Sequence, residues 1–172
     1  MGQDDLYQEG AATYGAALDR LAHAYEADPD KRLDLGQEIH LALWRSFAGW
    51  NGQCSLRTWV YRVAHNAATS YATRQRRVNA QKLVGLEELE HLPERVVGRS
   101  AADTCQTFER LLELIQSLKP LDQQVILSYL EDMDAASIGE IVGLSSGNVA
   151  TKIHRIKKIL ARWFQEGERH GQ

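Results

Sequence analysis

A chain of 172 residues with 44% apolar and 25% charged side chains can build both a core and a solvated surface, which separates it from disordered and fibrous sequences. Its net charge of −3 is modest, no apolar run approaches the roughly 20 residues needed to span a bilayer, and MGQDDLYQEG lacks the basic-then-apolar order of a signal peptide. The two cysteines, Cys54 and Cys105, and six scattered histidines carry no metal-ligand spacing, and there is no P-loop, GxGxxG or GxSxG, so neither an enzyme nor a cofactor is expected.

Three prolines, Pro29, Pro93 and Pro120, leave room for long helices, and apolar residues recur at i, i+3/i+4, i+7. The expected class is all-α. A first helix runs from about Asp5 to Ala27, with Leu6, Tyr14, Leu18, Leu21 and Tyr25 as apolar positions, and Asp28-Pro29 ends it. The second, Lys31 to Phe47, gathers Leu35, Ile39, Ala42, Leu43 and Ser46 on one face. Asp34, Gln37, Glu38, Leu41 and Arg45 fall on the other. WNGQC (50–54) reads as a loop, with Ser55 as N-cap of a third helix. On that helix Leu56, Val60, Val63, Ala67 and Tyr71 form the expected core stripe. Trp59, Arg62, Asn66, Thr69 and Thr73 lie outside it, with His65 and Arg76 further round.

No period holds from about Asn79 to Ala102, which reads as an acidic linker with a short helical turn near Leu86. Periodicity resumes at Phe108, Leu111, Leu112, Ile115 and Leu118, and Pro120 suits the first turn of the next helix, whose apolar face is Val125, Ile126, Tyr129 and Leu130. SIGEIVGLSSGNVATKIHRIKKIL then reads as a short helix (137–142), a turn at Gly143-Leu144-Ser145, and a longer helix from Ser146. Gly139 is small where helices would cross, and Gly143 suits a left-handed cap. Val149, Ile153, Ile156 and Leu160 form the inner stripe, leaving Asn148, Thr151, Lys152, Arg155 and Lys158 outward. This is the helix-turn-helix layout, whose second helix enters the DNA major groove.

The charges are segregated. No acid occurs between Glu38 and Glu87, where Arg45, Arg57, Arg62, Arg74, Arg76, Arg77 and Lys82 fall. None occurs between Glu140 and Glu166, where Lys152, Arg155, Lys157, Lys158 and Arg162 fall. Two basic blocks joined by an acidic connector point to two polyanion-facing modules.

DLGQEIHLALWRSFAGWNGQCSLRTWVYRVAHNAATSYATRQRR (34–77) resembles region 2 of the extracytoplasmic-function (ECF, group 4) sigma factors of the sigma-70 family. LIQSLKPLDQQVILSYLEDMDAASIGEIVGLSSGNVATKIHRIKKIL (114–160) is similar to their region 4. The resemblance implies residues 1–80 as a region 2 domain, 81–105 as linker and 106–172 as a region 4 domain. It implies promoter DNA and bacterial core RNA polymerase as partners, through the β′ clamp helices and the β flap, with an anti-sigma factor as a further family-level expectation. Asp34, Gln37 and Glu38 match the clamp-docking DxxQE, beside Leu41 and Arg45. Trp50, Asn51, Gly52 and Gln53 match the loop that captures a flipped −10 base, and Arg57, Trp59, Arg62, Asn66, Arg76 and Arg77 the helix on melted non-template strand. Ser146, Asn148, Thr151, Lys152, Arg155 and Lys158 match positions on −35 DNA. Cys54, Ser137 and Gly139 depart from the family's usual residues.

Each feature alone has an ordinary explanation. Trp59 would pack on a neighbouring helix, RQRR would be a solvated helix end, and the polar face of the second helix would simply meet water. His65 and His154 would be surface or hydrogen-bonded residues, and Cys54 a space-filling thiol. The competing function is a free-standing helix-turn-helix regulator whose N-terminal helices only dimerise or bind a ligand. A dimerising helix wants apolar residues where this one carries Asp34, Gln37, Glu38 and Arg45. The expected setting is the cytoplasm.

Overall fold

The computed structural model describes residues 2–79, 83, 85–91 and 104–169, and the side chains of these apart from 79, 104–107 and 163–169. Most of the expected 81–105 linker and the Cys105 side chain therefore lie outside the described residues. The regular elements described are all helical. They are α1 (Gln3–Tyr25), α2 (Pro29–Ser46), a 3-10 turn (Phe47–Gly49), α3 (Leu56–Asn79), α4 (Leu86–His91), α5 (Thr104–Ser117), α6 (Pro120–Leu130), α7 (Ala135–Val142) and α8 (Ser146–Arg169). None of the described helices is long and apolar enough to cross a membrane.

Local chemistry sets the helix starts. Asp28 caps α2, its carboxylate accepting from the amides of Asp30 (3.0 Å) and Lys31 (3.1 Å), with Pro29 in the first turn. Ser55 Oγ accepts from the Thr58 amide at 3.0 Å ahead of α3, and Pro120 opens α6. Asp134 caps α7 through the Ser137 amide at 2.8 Å, a bond that holds its carboxyl below the usual aspartate range. Gly143 ends α7 at φ 74°, the left-handed region where a side chain is strained. Gly139 is small for a different reason than helix crossing. A Cβ there would lie 2.4 Å from the Leu144 carbonyl oxygen, so it is the turn's own backbone that closes on it.

The first unit is α1, α2 and α3, closed around Leu18, Leu21, Leu35, Ile39, Leu43, Phe47 and Val60. The second is α4 to α8, around Ile115, Leu118, Val125, Ile126, Ile138, Val149 and Ile156. Each such side chain contributes about 1.5–3 kcal/mol relative to exposure. The units also pack on one another, α3 lying against α6 and α7, and α1 against α5.

This second contact changes the reading of α3. Val63 and Ala67 are only half-buried, whereas Tyr61, Ala64, His65 and Ala68 are buried. The helix is covered on two sides. Val60 approaches α1 beside Gly10, and the Tyr71 hydroxyl donates to the Lys31 carbonyl of α2. Tyr61, His65 and Thr69, one every fourth residue, instead bond to the end or flank of α6. Two further apolar expectations fail: Phe108 and Leu130 are both half exposed, although Phe108 sets its ring edge-on to His23.

His65 is fully buried at the contact between units. Its Nδ1 lies 3.1 Å from the Tyr25 hydroxyl and its Nε2 3.0 Å from the Ser128 hydroxyl. Both hydroxyls can donate or accept, so the neutral ring is satisfied on either tautomer. Burial pushes its pKa down to about 3.

Two outcomes follow from this geometry. Gly139→Ala destabilises the protein by about 1–3 kcal/mol in denaturant unfolding, the range for forcing extra carbon into a closed site; an unchanged midpoint contradicts the tight turn. His65 stays neutral in the fold but charges on unfolding below its ordinary value of 6.5. Between pH 6.5 and about 3 the unfolded chain therefore binds the extra proton. Stability falls with acidification there, approaching about 1.4 kcal/mol per pH unit from this residue. His65→Asn removes that part of the slope, and parallel wild-type and variant profiles contradict the assignment.

Candidate functional site

Three surfaces gather the residues singled out in the sequence. On α2, Asp34, Gln37, Glu38, Leu41 and Arg45 are all exposed along one face, opposite buried Leu35, Ile39 and Leu43. The sequence reading had Leu41 on this surface but missed Leu33 and Trp44 beside it. Leu33, Gln37, Leu41 and Trp44 follow one another at i, i+4, i+8 and i+11, and the three apolar members are 68%, 47% and 40% exposed. The signal was present in that spacing. Trp44 is held in place by its Nε1, which donates to Asp4 Oδ1 at 2.8 Å, while Gln3 Nε2 donates to the Trp44 carbonyl at 2.7 Å. Glu38 pairs with Arg74 of α3, with both side chains about half exposed, a pairing that contributes little energy in water.

The second surface is the 50–54 loop with α3. Asn51 Oδ1 accepts from the Gln53 amide at 3.2 Å, Gly52 takes φ 76°, and Asn51, Gly52 and Gln53 all face solvent. Trp50 is half-buried against the core, and its indole nitrogen is buried without a hydrogen-bond partner. Cys54 is a free, half-buried thiol. Trp59 is half-buried rather than fully presented, its Nε1 donating to Ser46 Oγ at 2.9 Å. That bond ties α3 to the end of α2 and fixes the indole plane. Asn66 and Arg77 are exposed.

The remaining cations of α3 are occupied. Arg57 donates to the Glu131 carbonyl, Arg62 to the Glu140 carbonyl at 2.6 Å and Arg76 to the Gln116 carbonyl. Glu131 is the centre of this contact. Its carboxylate accepts from Arg20 Nε at 2.8 Å and Nη2 at 2.6 Å, and from the Tyr61 hydroxyl at 3.2 Å. Nearby, Gln124 Nε2 donates to Thr69 Oγ1 at 2.9 Å. Glu131, Glu140, Gln116 and Gln124 were missed by sequence reasoning, since partners so far apart in the chain leave no local pattern.

The third surface is the N-terminal half of α8. Ser146, Asn148, Thr151 and Lys158 are exposed as expected. Lys152 and Arg155 are not free. Lys152 Nζ lies 2.6 Å from Asp122 Oδ1, a carboxylate whose side chain is only 8% exposed. Removing that lysine would leave a buried charge unpaired, so it has a structural task on α6. Arg155 reaches α4, with Nε 2.9 Å from Glu90 Oε1 and Nη1 3.4 Å from Glu87 Oε1. This bond to Arg155 is the main cause holding the Glu90 carboxyl below its usual range. Arg162 completes the clasp, donating to the carbonyls of Glu90 and Leu89 at 2.9 Å each. Among the described residues no cluster of histidine, cysteine or carboxylate side chains is arranged to hold a metal.

An exposed acidic and apolar face, an aromatic and cationic helix behind a glycine loop, and a helix-turn-helix follow each other along the chain. Residues 11–78 match the family model for Sigma-70 region 2, and residues 108–160 that for Sigma-70 region 4. The chain is 26% identical over 164 residues to the RNA polymerase sigma factor YlaC of Bacillus subtilis, covering 92% of this chain and 90% of that protein. It is 27% identical over 143 residues to the ECF RNA polymerase sigma-E factor of Haemophilus influenzae, covering 77% and 74%. Among solved structures, CnrH in complex with the cytosolic domain of CnrY superposes with a TM-score of 0.66 at 17% identity, over 93% of this chain and 88% of that one. The sigma factor RpoE of Bartonella quintana, in complex with the anti-sigma factor NepR, also gives 0.66, at 16% identity over 92% and 96%. Both units and their order are those of a promoter-specificity subunit rather than an enzyme or a free-standing regulator, and the chain belongs to the sigma-70 family, in its extracytoplasmic-function branch.

Proposed function

We infer that this sigma factor docks on bacterial core RNA polymerase through the α2 face, with Asp34, Gln37, Glu38, Leu41 and Arg45 on the β′ clamp helices and Leu33 and Trp44 widening the contact. The observation that supports this most directly is the exposure of that face, which mixes carboxylates with apolar side chains and is the expected site whose residues are all exposed. Apolar anchors surrounded by charge suit a separable protein interface, because the first supply burial and the second orientation.

Under the same reading, the 50–54 loop and α3 hold the melted −10 strand. Trp50 and Trp59 offer aromatic surface, Asn66 reads a base edge, and Arg57, Arg62, Arg76 and Arg77 follow the phosphates. Asn148 and Thr151, near the start of α8, face −35 bases, Ser146 and Lys158 contact backbone, and Arg155 joins them once released from α4. The second unit meets the β flap, and the connector bridges the two DNA elements. Both structural neighbours carry a bound protein, one of them an anti-sigma factor by name. An anti-sigma partner and a cytoplasmic site of action are therefore part of the proposal.

Asp34→Ala combined with Glu38→Ala abolishes co-elution with core polymerase on size exclusion while leaving the helical spectrum unchanged; normal co-elution contradicts the docking face. On promoter DNA with core enzyme, Asn148→Ala lowers discrimination at one −35 position by about 1–3 kcal/mol. Lys158→Ala weakens all sequences alike and flattens the salt dependence. Equal loss of discrimination in both variants, measured by competition binding, contradicts the division between base and phosphate contacts.

A further inference from the structure

The first turn of α1 carries two acids, Asp4 and Asp5, which suit the positive end of a helix. Asp5 serves that start directly, its Oδ2 accepting from the Gly2 amide at 2.8 Å. Asp4 has a second task. Its Oδ1 accepts at 2.8 Å from Nε1 of Trp44, on the α2 face read above as the polymerase surface. The neighbouring Gln3 donates at 2.7 Å to the Trp44 carbonyl, in the last turn of α2, where helical carbonyls lack an internal partner. One residue of α1 thus holds the backbone of Trp44, and the next holds its ring.

The two helices continue this pairing in opposite directions. Four residues on from Gln3, the Tyr7 hydroxyl lies 3.0 Å from Nδ1 of His40, which is four residues back from Trp44. The two rings meet edge-on, with centroids 6.0 Å apart. Leu6, between these contacts, is buried in the core. The start of α1 is therefore tied to the C-terminal half of α2.

An exposed tryptophan resists burial by a partner in two ways. Its indole N–H must keep a hydrogen bond when water leaves, and its ring must give up free rotation. Asp4 meets both demands beforehand. The N–H is already bonded within the chain, to a charged acceptor that makes a stronger bond than a neutral one. The ring is already held, on the same face as exposed Leu33 and Leu41. What Trp44 still offers is aromatic surface, and tryptophan is among the side chains that most often dominate a protein interface.

We propose that Asp4 is a positioning residue of the docking surface. It presets the Trp44 indole so that the ring enters the contact with core polymerase as an ordered apolar anchor, with Gln3 holding the same turn of α2. The docking surface thus extends from α2 to the first turn of α1. This rests on the reading of the α2 face as the polymerase contact.

The test is competition of full-chain variants with labelled wild type for core polymerase, each variant checked for an unchanged helical spectrum. Asp4→Ala removes the acceptor, and Trp44→Phe keeps a ring but removes the donor. Each weakens binding by about three- to tenfold, the effect of returning one side chain to free rotation before it binds. The double variant D4A/W44F is no weaker than W44F alone, because both changes remove the same bond. Asp4→Asn, which keeps an oxygen able to accept from the indole, recovers most of the affinity. Glu9→Gln, which neutralises an exposed acid further along α1, binds as the wild type does and controls for charge.

Wild-type affinity in D4A, or losses that add in full in the double variant, overturns the proposal. So does a D4N as weak as D4A, since the charge itself would then meet polymerase. Leu41→Ala separates the two readings. Wild-type binding by L41A removes the docking face and this proposal with it, whereas a weakened L41A beside an unchanged D4A removes only the positioning role.

Discussion

A guanidinium that leaves water must find an acceptor, and α3 carries three of them on a side that the fold covers. Its other side is committed to α1 and α2 through Val60 and Tyr71, so the helix cannot turn Arg57, Arg62 and Arg76 away from whatever approaches. Inside one chain the acceptors are the carbonyls at the ends of α5, α6 and α7. On a promoter they would be phosphates. Under the proposed reading of α3, the joint between the units and the DNA-binding task draw on the same donors, so the two compete.

That competition gives meaning to the difference between α2 and the other two surfaces. Asp34, Gln37, Glu38, Leu41 and Arg45 are all exposed, and Leu33 and Trp44 remain exposed beside them. Arg57, Arg62, Arg76 and Arg155 are all engaged.

Much of the framework was legible because it is local. Ser55 and Asp28 sit directly before the helices they bound, Pro120 opens α6, and Gly143 adopts the left-handed turn that its position at the end of α7 requires. The two faces of α2 followed from a single period, since that helix has one buried side. The same reasoning failed on α3. A one-stripe pattern assumes one neighbour, and α3 has two, so Tyr61, Ala64, His65 and Ala68 are buried where Val63 and Ala67 were expected. Leu130 and Phe108 erred in the opposite sense: apolar residues in register with a stripe, yet at its end and half exposed. The site divided along the same line. Residue types and helix faces were readable from spacing, whereas the pairing of Arg20 with Glu131 or Arg155 with Glu90 joins distant parts of the chain.

Hydroxyl-radical footprinting of the full chain with and without core polymerase tests the central claim most directly, because it reports side-chain exposure on the α2 face and in the core behind it in one experiment. Docking through α2 predicts that Leu41 and Trp44, exposed in the free protein, become protected while buried Leu35 and Ile39 stay unreactive. Unchanged reactivity of Leu41 and Trp44 in the polymerase complex would contradict it.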